Sequence, residues 1–183
     1  LKKFNGKTYV ERVVMKAIKH DIALYAIHTN LDHVSSGVNK MICNKLGIKN
    51  PVILKPREDS LRKLVTFCPD AHAEGLREAL FRAGAGNVGN YSECSYNVNG
   101  TGTFNASEGT NPFVGLPGKQ HHESEIRIET IYPVYLEQKI LSALIETHPY
   151  EEVAYDLYPL NNSHYQVGSG MIGNLETDSD ELD

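Results

Sequence analysis

The stretch Ile22-Ala23-Leu24-Tyr25-Ala26-Ile27-His28-Thr29-Asn30-Leu31-Asp32 decides how this chain is read, because an apolar run ends abruptly in two residues able to ligate a metal. The apolar residues between Asp21 and His28 are too few to cross a membrane and fit a strand buried on both faces, as in a parallel sheet. In open α/β sheets ligands gather beyond the carboxyl ends of such strands, where His28 and Asp32 stand. Imidazole together with carboxylate favours zinc, iron or manganese over calcium, and a carboxylate can bridge two such ions. The spacing also fits a plainer arrangement, in which Asp32 caps the following helix and His28 packs against its neighbours.

Working outward, a chain of 183 residues that is 40% hydrophobic can bury a core as one large or two small domains. A net charge of −5, a pI near 5.9 and the lack of a basic stripe argue against nucleic acid as a partner. Cys43, Cys68 and Cys94 are odd in number and widely spaced, which predicts neither a disulfide framework nor a thiolate zinc site; Cys43 and Cys68 read as small core residues. With no signal-like or membrane-length segment, the expectation is a soluble, cytoplasmic protein without a membrane partner. The chain opens on Leu1 without a Met and closes on an acidic run at 177–183, which suggests a piece of a longer protein.

Before the opening stretch, Thr8-Tyr9-Val10-Glu11 has the form of a capping box, and Val10, Val13, Val14, Ala17 and Ile18 make a helical stripe expected to face a sheet. After it, Ser35-Ser36-Gly37 can open a second helix with Val38, Met41, Ile42 and Leu46 on its apolar face and Gly47 as its stop, followed by a strand at 51–54 that would add in parallel. The polar stretch 55–60 reads as a linker. Beyond it the pattern predicts a strand at 64–68, a helix from Pro69-Asp70 to Gly84-Ala85-Gly86, a hairpin of 91–96 with 101–105 turning at Asn99-Gly100, and a long loop at 106–120. A half-wet strand at 126–132 follows, then a helix opened by Pro133 and ended before Pro149, and a strand at 153–158. The fold class is therefore mixed α/β and α+β: a partial α/β core at 1–60, a ferredoxin-like βαββαβ unit at 61–162, and a return to the core with the acidic tail at 163–183.

Other residues invite chemistry less strongly. Gly168-Ser169-Gly170-Met171-Ile172-Gly173 fits Gly-x-Gly-x-x-Gly, but no helix follows to hold a pyrophosphate, so a glycine-requiring strand or turn is the better reading. His121-His122 read as a solvated loop. His148-Pro149-Tyr150-Glu151-Glu152 reads as a structural or binding corner, with His148 covering the last carbonyls of the helix that Pro149 stops. A hydrolase elbow of the Gly-x-Ser-x-Gly kind is absent around Ser35 and Ser36.

Taken together, Ile27-His28-Thr29-Asn30-Leu31-Asp32, Gly37-Val38-Asn39 and the Tyr9-Val10-Glu11-Arg12-Val13-Val14 helix resemble the Nif-three-like family, whose members are also labelled type 2 GTP cyclohydrolase homologues. The blocks Ala83-Gly84-Ala85-Gly86, Gly89-Asn90-Tyr91-Ser92, Gly102-Thr103-Phe104, Asn111-Pro112-Phe113-Val114-Gly115 and His148-Pro149-Tyr150-Glu151-Glu152 are similar to the PII- and CutA-like insert of its longer members. The resemblance implies a dinuclear metal centre, with Asp32 as a metal ligand, His28 on or beside the metals, and two divalent ions per subunit in a longer parent. This stretch alone would bind metal weakly or not at all. It also implies a trimeric or hexameric homo-oligomer and a metal-dependent hydrolase acting on a nucleotide-like or small phosphorylated substrate. A non-catalytic module that binds a small effector or partner through the PII-like unit is the alternative.

Overall fold

The computed structural model describes residues 5–176, and the acidic run at 177–183 lies outside them. Helix α1 spans Tyr9–Lys19 and starts as its sequence predicts. Thr8 Oγ1 accepts from the Glu11 amide at 3.2 Å, and Glu11 Oε2 accepts in return from the amides of Thr8 and Lys7 at 3.2 and 2.8 Å. Three amides without helical partners are thus satisfied at the entry. Only Glu11 and Ala17 of this helix are buried, and Val10 and Ile18 stand exposed, so the stripe expected to face a sheet lies largely at the surface.

The run 22–27 has no regular secondary structure and pairs with none of the described strands, and Leu24 and Tyr25 are 60% and 84% exposed. The expected buried parallel strand is therefore not formed. An apolar run says that burial is favourable; a strand also needs a neighbouring strand to pair its backbone, and among the described residues this run has only local bonds, Ile22 N to Ala17 O and Asn30 N to Ile27 O. His28 then takes a left-handed backbone (φ 49°), and a single 3-10 turn covers Asn30–Asp32.

Helix α2 (Val38–Lys45) buries Cys43 and leaves Val38, Met41, Ile42 and Leu46 exposed, again against expectation. Strand β1 (Lys49–Arg57) takes in the predicted 51–54 run and half of the predicted linker. It pairs with the last strand, β6 (His164–Asn174), as an antiparallel ribbon rather than adding in parallel. A ribbon of two strands cannot bury both of its faces, which accounts for Val52, Leu54 and Ile172 standing at the surface.

Between those strands the chain builds β2 (Leu61–Pro69), α3 (Asp70–Ala83), β3 (Tyr96–Asn105), β4 (Gln120–Pro133), a 3-10 turn (Val134–Leu136), α4 (Glu137–Thr147) and β5 (Tyr155–Leu160). The sheet order β3-β4-β2-β5, all antiparallel, is the ferredoxin-like arrangement of two interleaved βαβ units, as the pattern predicts. Both helices pack on one face, where Leu64, Leu76, Leu80, Ile128, Ile140 and Leu144 are at most 1% exposed. Full burial of each such side chain contributes roughly 1.5–3 kcal/mol. Tyr132 is buried with them and donates its hydroxyl to Glu137 at 3.0 Å. Cys43 and Cys68 are buried, as predicted. Burial, then the nearby Glu125 charge, pushes the Cys68 thiol up to about 11, so it is inert at neutral pH.

Four local predictions fail here. Asn99-Gly100 makes no turn: β3 runs straight through it, with Gly100 opposite Glu125, because β4 offers a full-length partner that outweighs local turn preference. The true hairpin joins β3 to β4 through the loop 106–119. His121 and His122 therefore sit in β4, not in a solvated loop, and His121 Nε2 lies 2.8 Å from Glu123 Oε2. Pro133 ends β4 instead of opening the helix, and the last strand of the unit begins at Tyr155 rather than at 153.

Candidate functional sites

The Asp32 turn is built by residues that follow it. A Cβ on Gly37 would sit 1.8 Å from the Leu31 carbonyl oxygen, so only glycine lets α2 start so close to the turn. Asn39 Nδ2 donates to the Asp32 carbonyl at 2.7 Å. The turn is also fastened to β6: Ser35 N donates to Gln166 O at 2.9 Å, Gly168 N donates to His33 O at 2.8 Å, and His33 Nδ1 lies 3.3 Å from both Gly168 O and Ser169 Oγ. Among the described residues no hydrogen bond or ion pair engages the half-buried Asp32 carboxylate. His28 is exposed, its Nδ1 3.2 Å from Thr29 Oγ1.

The Gly-x-Gly-x-x-Gly run lies within β6, as a strand. Cβ atoms on Gly168 and Gly173 would come within 2.2 and 2.5 Å of the carbonyl oxygens of Lys55 and Lys49, so these glycines serve the close approach of β1. Even taken together, the Asp32 carboxylate and the His28 imidazole would make less than a coordination sphere, since a catalytic zinc site takes three protein ligands and a structural one takes four. Among the described residues no three His, Cys, Asp or Glu side chains group to hold a metal ion.

A second site lies on the sheet face away from the helices. Residues directly opposite in an antiparallel ladder share a face, so Glu125, Arg127, Gly100 and Gly102 line the same side. With the loop 106–114 and the corner 150–154 they line a half-open cavity of about 720 Å³. Its wall is aromatic: Phe104 and Phe113 lie 6.3 and 6.1 Å from the Tyr150 ring. Glu125 is 8% exposed and, among the described residues, takes one hydrogen bond, from the Tyr150 hydroxyl at 2.8 Å. Burial and then that bond hold the Tyr150 phenol well above its ordinary range, so it stays a donor.

His148 is the pivot of this corner. The Tyr150 amide donates to its Nδ1 at 3.1 Å, so Nε2 carries the proton and donates to the Phe67 carbonyl of β2 at 2.9 Å. It therefore ties the end of α4 to the sheet; it does not cover the helix carbonyls as predicted. Burial holds its pKa below the ordinary histidine value, which keeps it neutral. Glu151 Oε1 accepts from the Asn111 amide at 3.2 Å, fastening the loop over the cavity. Sequence reading singled out His148 and Tyr150, with Glu151 and Glu152, but missed Glu125, Phe104 and Phe113. The signal that could have found Glu125 is its place opposite Gly100 and diagonal to Gly102, which needs the β3–β4 register first.

Comparison with known proteins agrees with both halves of the chain. A family model described as Duf34/NIF3 (NGG1p interacting factor 3) matches residues 1–182. A protein of Halalkalibacterium halodurans called "GTP cyclohydrolase 1 type 2 homolog" is 51% identical over 90% of this chain and 44% of its own length. The Bacillus subtilis protein of the same name is 40% identical over 91% and 45%. A crystal structure of a Bacillus cereus protein related to NIF3 superposes with a TM-score of 0.76 at 43% identity, covering 97% of this chain and 47% of that one. The chain thus spans less than half the length of these relatives.

Proposed function

Because this chain belongs to the Duf34/NIF3 family, we propose that it forms part of a metal-dependent hydrolase acting on a nucleotide-like or small phosphorylated substrate, with Asp32 as a metal ligand and His28 beside it. The observation that supports this reading is the clamp of Gly37 and Asn39, which fixes the Asp32 backbone while leaving its carboxylate unengaged among the described residues. Since the described residues do not complete a coordination sphere, the other donors would come from the rest of a protein as long as the relatives. The same missing portion would cover the exposed apolar residues of α1, α2 and the run 22–27.

The test is elemental analysis of the protein at the relatives' full length. About two divalent ions per subunit are expected, with loss of metal and of any phosphoester hydrolysis in Asp32→Ala. Retention of both by that variant would remove Asp32 from the site.

A second reading has its own support. The cavity on the ferredoxin-like unit, bounded by Tyr150 and Glu125, fits a module that binds a small effector without turnover.

A further inference from the structure

Building on that second reading, we infer that the cavity between β3, β4 and the Tyr150 corner recognises a small organic cation, an ammonium or amidinium carried on an apolar body. Its volume, about 720 Å³, falls within the range of small-molecule pockets. Phe104, Phe113 and Tyr150 supply ring faces that attract cations and apolar bodies alike. The Glu125 carboxylate lines the same pocket, with Oε1 held by the Tyr150 hydroxyl and Oε2, which has no hydrogen-bond partner among the described residues, still reachable from the pocket. A carboxylate oxygen only accepts, so a ligand that displaces water from it must offer an N–H or O–H donor, and a charged N–H bonds it most strongly.

The place for that carboxylate is built into β3. A Cβ on Gly102 would fall 2.0 Å from Glu125 Oε2, so any other residue there would displace the acid from the pocket wall. Charge around the cavity disfavours anionic ligands. Glu151 and Glu152 add to Glu125, while the one cationic lining residue, Arg127, is already paired with Glu129 at 2.8 Å. Three acids against one shared guanidinium leave the lining net negative, which disfavours a phosphate or carboxylate ligand. A single carboxylate already bonded to a phenol is also a poor seat for a metal ion.

The experiment is an NMR titration of this chain with protonated 2-phenylethylamine, with 2-phenylethanol and phenylacetate as neutral and anionic counterparts of similar shape. Saturable shifts centred on Gly102, Phe104 and Phe113 are expected for the amine, with an affinity about tenfold above the other two. Glu125→Gln should erase that preference. Should this variant fold poorly, Phe104→Leu, which leaves the carboxylate in place, should weaken the amine several-fold. Binding of the alcohol or phenylacetate at least as tight as the amine would overturn the cation assignment while leaving an effector site standing. An amine preference that survives Glu125→Gln, or an affinity unmoved by Phe104→Leu, would overturn it as well. Absence of saturable binding by all three would remove the effector reading together with it.

Discussion

The side-chain amide of Asn39 donates to the backbone carbonyl of Asp32 at 2.7 Å, so the first turn of α2 holds the turn that carries the acid. Asn39→Ala should cost about 1 kcal/mol by urea unfolding, the usual worth of such a bond. Gly37→Ala should cost more, about 1–3 kcal/mol, because its Cβ meets a backbone oxygen that cannot swing aside. An equal, negligible effect of both changes would show that the clamp is slack.

The neutral His148 makes stability depend on pH. Its pKa is lowered in the folded state by burial, so the unfolded chain binds the proton more readily. The contribution is therefore fully present above the ordinary value of 6.5 and is lost as pH falls through that value toward the lower folded one. Protonated Nδ1 could no longer accept from the Tyr150 amide. Thermal melting should fall across this range, and His148→Gln should flatten the profile while lowering stability above it.

Helix α3 ends on Gly84 in a left-handed conformation (φ 112°), and a Cβ there would lie 2.7 Å from Leu136 Cδ1. Gly84→Ala should cost about 1–3 kcal/mol through backbone strain, which a larger space cannot relieve. Trimming Leu136 to Ala in the same background tests this: recovery of most of the loss would assign it to the clash instead.

Residues 61–160 hold the whole buried cluster of the four-stranded sheet and its two helices, and this span should fold when expressed alone. A single cooperative unfolding transition is expected. Within it, Leu76→Ala or Leu144→Ala should cost about 2–5 kcal/mol, since both are fully buried. Dispersed proteolysis without a transition would refute its autonomy.

What the sequence discloses divides by the range of the forces involved. The Thr8 capping box, the α3 stop at Gly84 and the alternation of Ile126, Ile128, Thr130 and Tyr132 depend on neighbours a few residues away, and they are legible. The run 22–27 was misleading because apolarity signals a need for burial but not the partner that provides it. Asn99-Gly100 was misleading for the opposite reason, a distant strand overriding a local preference. Of the candidate sites, Asp32 and the Tyr150 corner stand in recognisable blocks. Glu125 draws its setting from Gly102 and Tyr150, on separate strands and loops, and only the ladder brings them together.

The pairing of Arg57 with His164, and of Leu61 with Leu160 just beyond, means that the polypeptide leaves the ribbon and re-enters it at adjoining points. The ferredoxin-like unit is strung on two short connections, 58–60 and 161–163, that run side by side. Such an arrangement behaves as a removable cassette: joining Arg57 to His164 through a tight turn would leave a simple β1–β6 hairpin with its register unchanged. A shortened relative could thus lose the cassette, or an ancestor acquire it, without rebuilding the fold on either side.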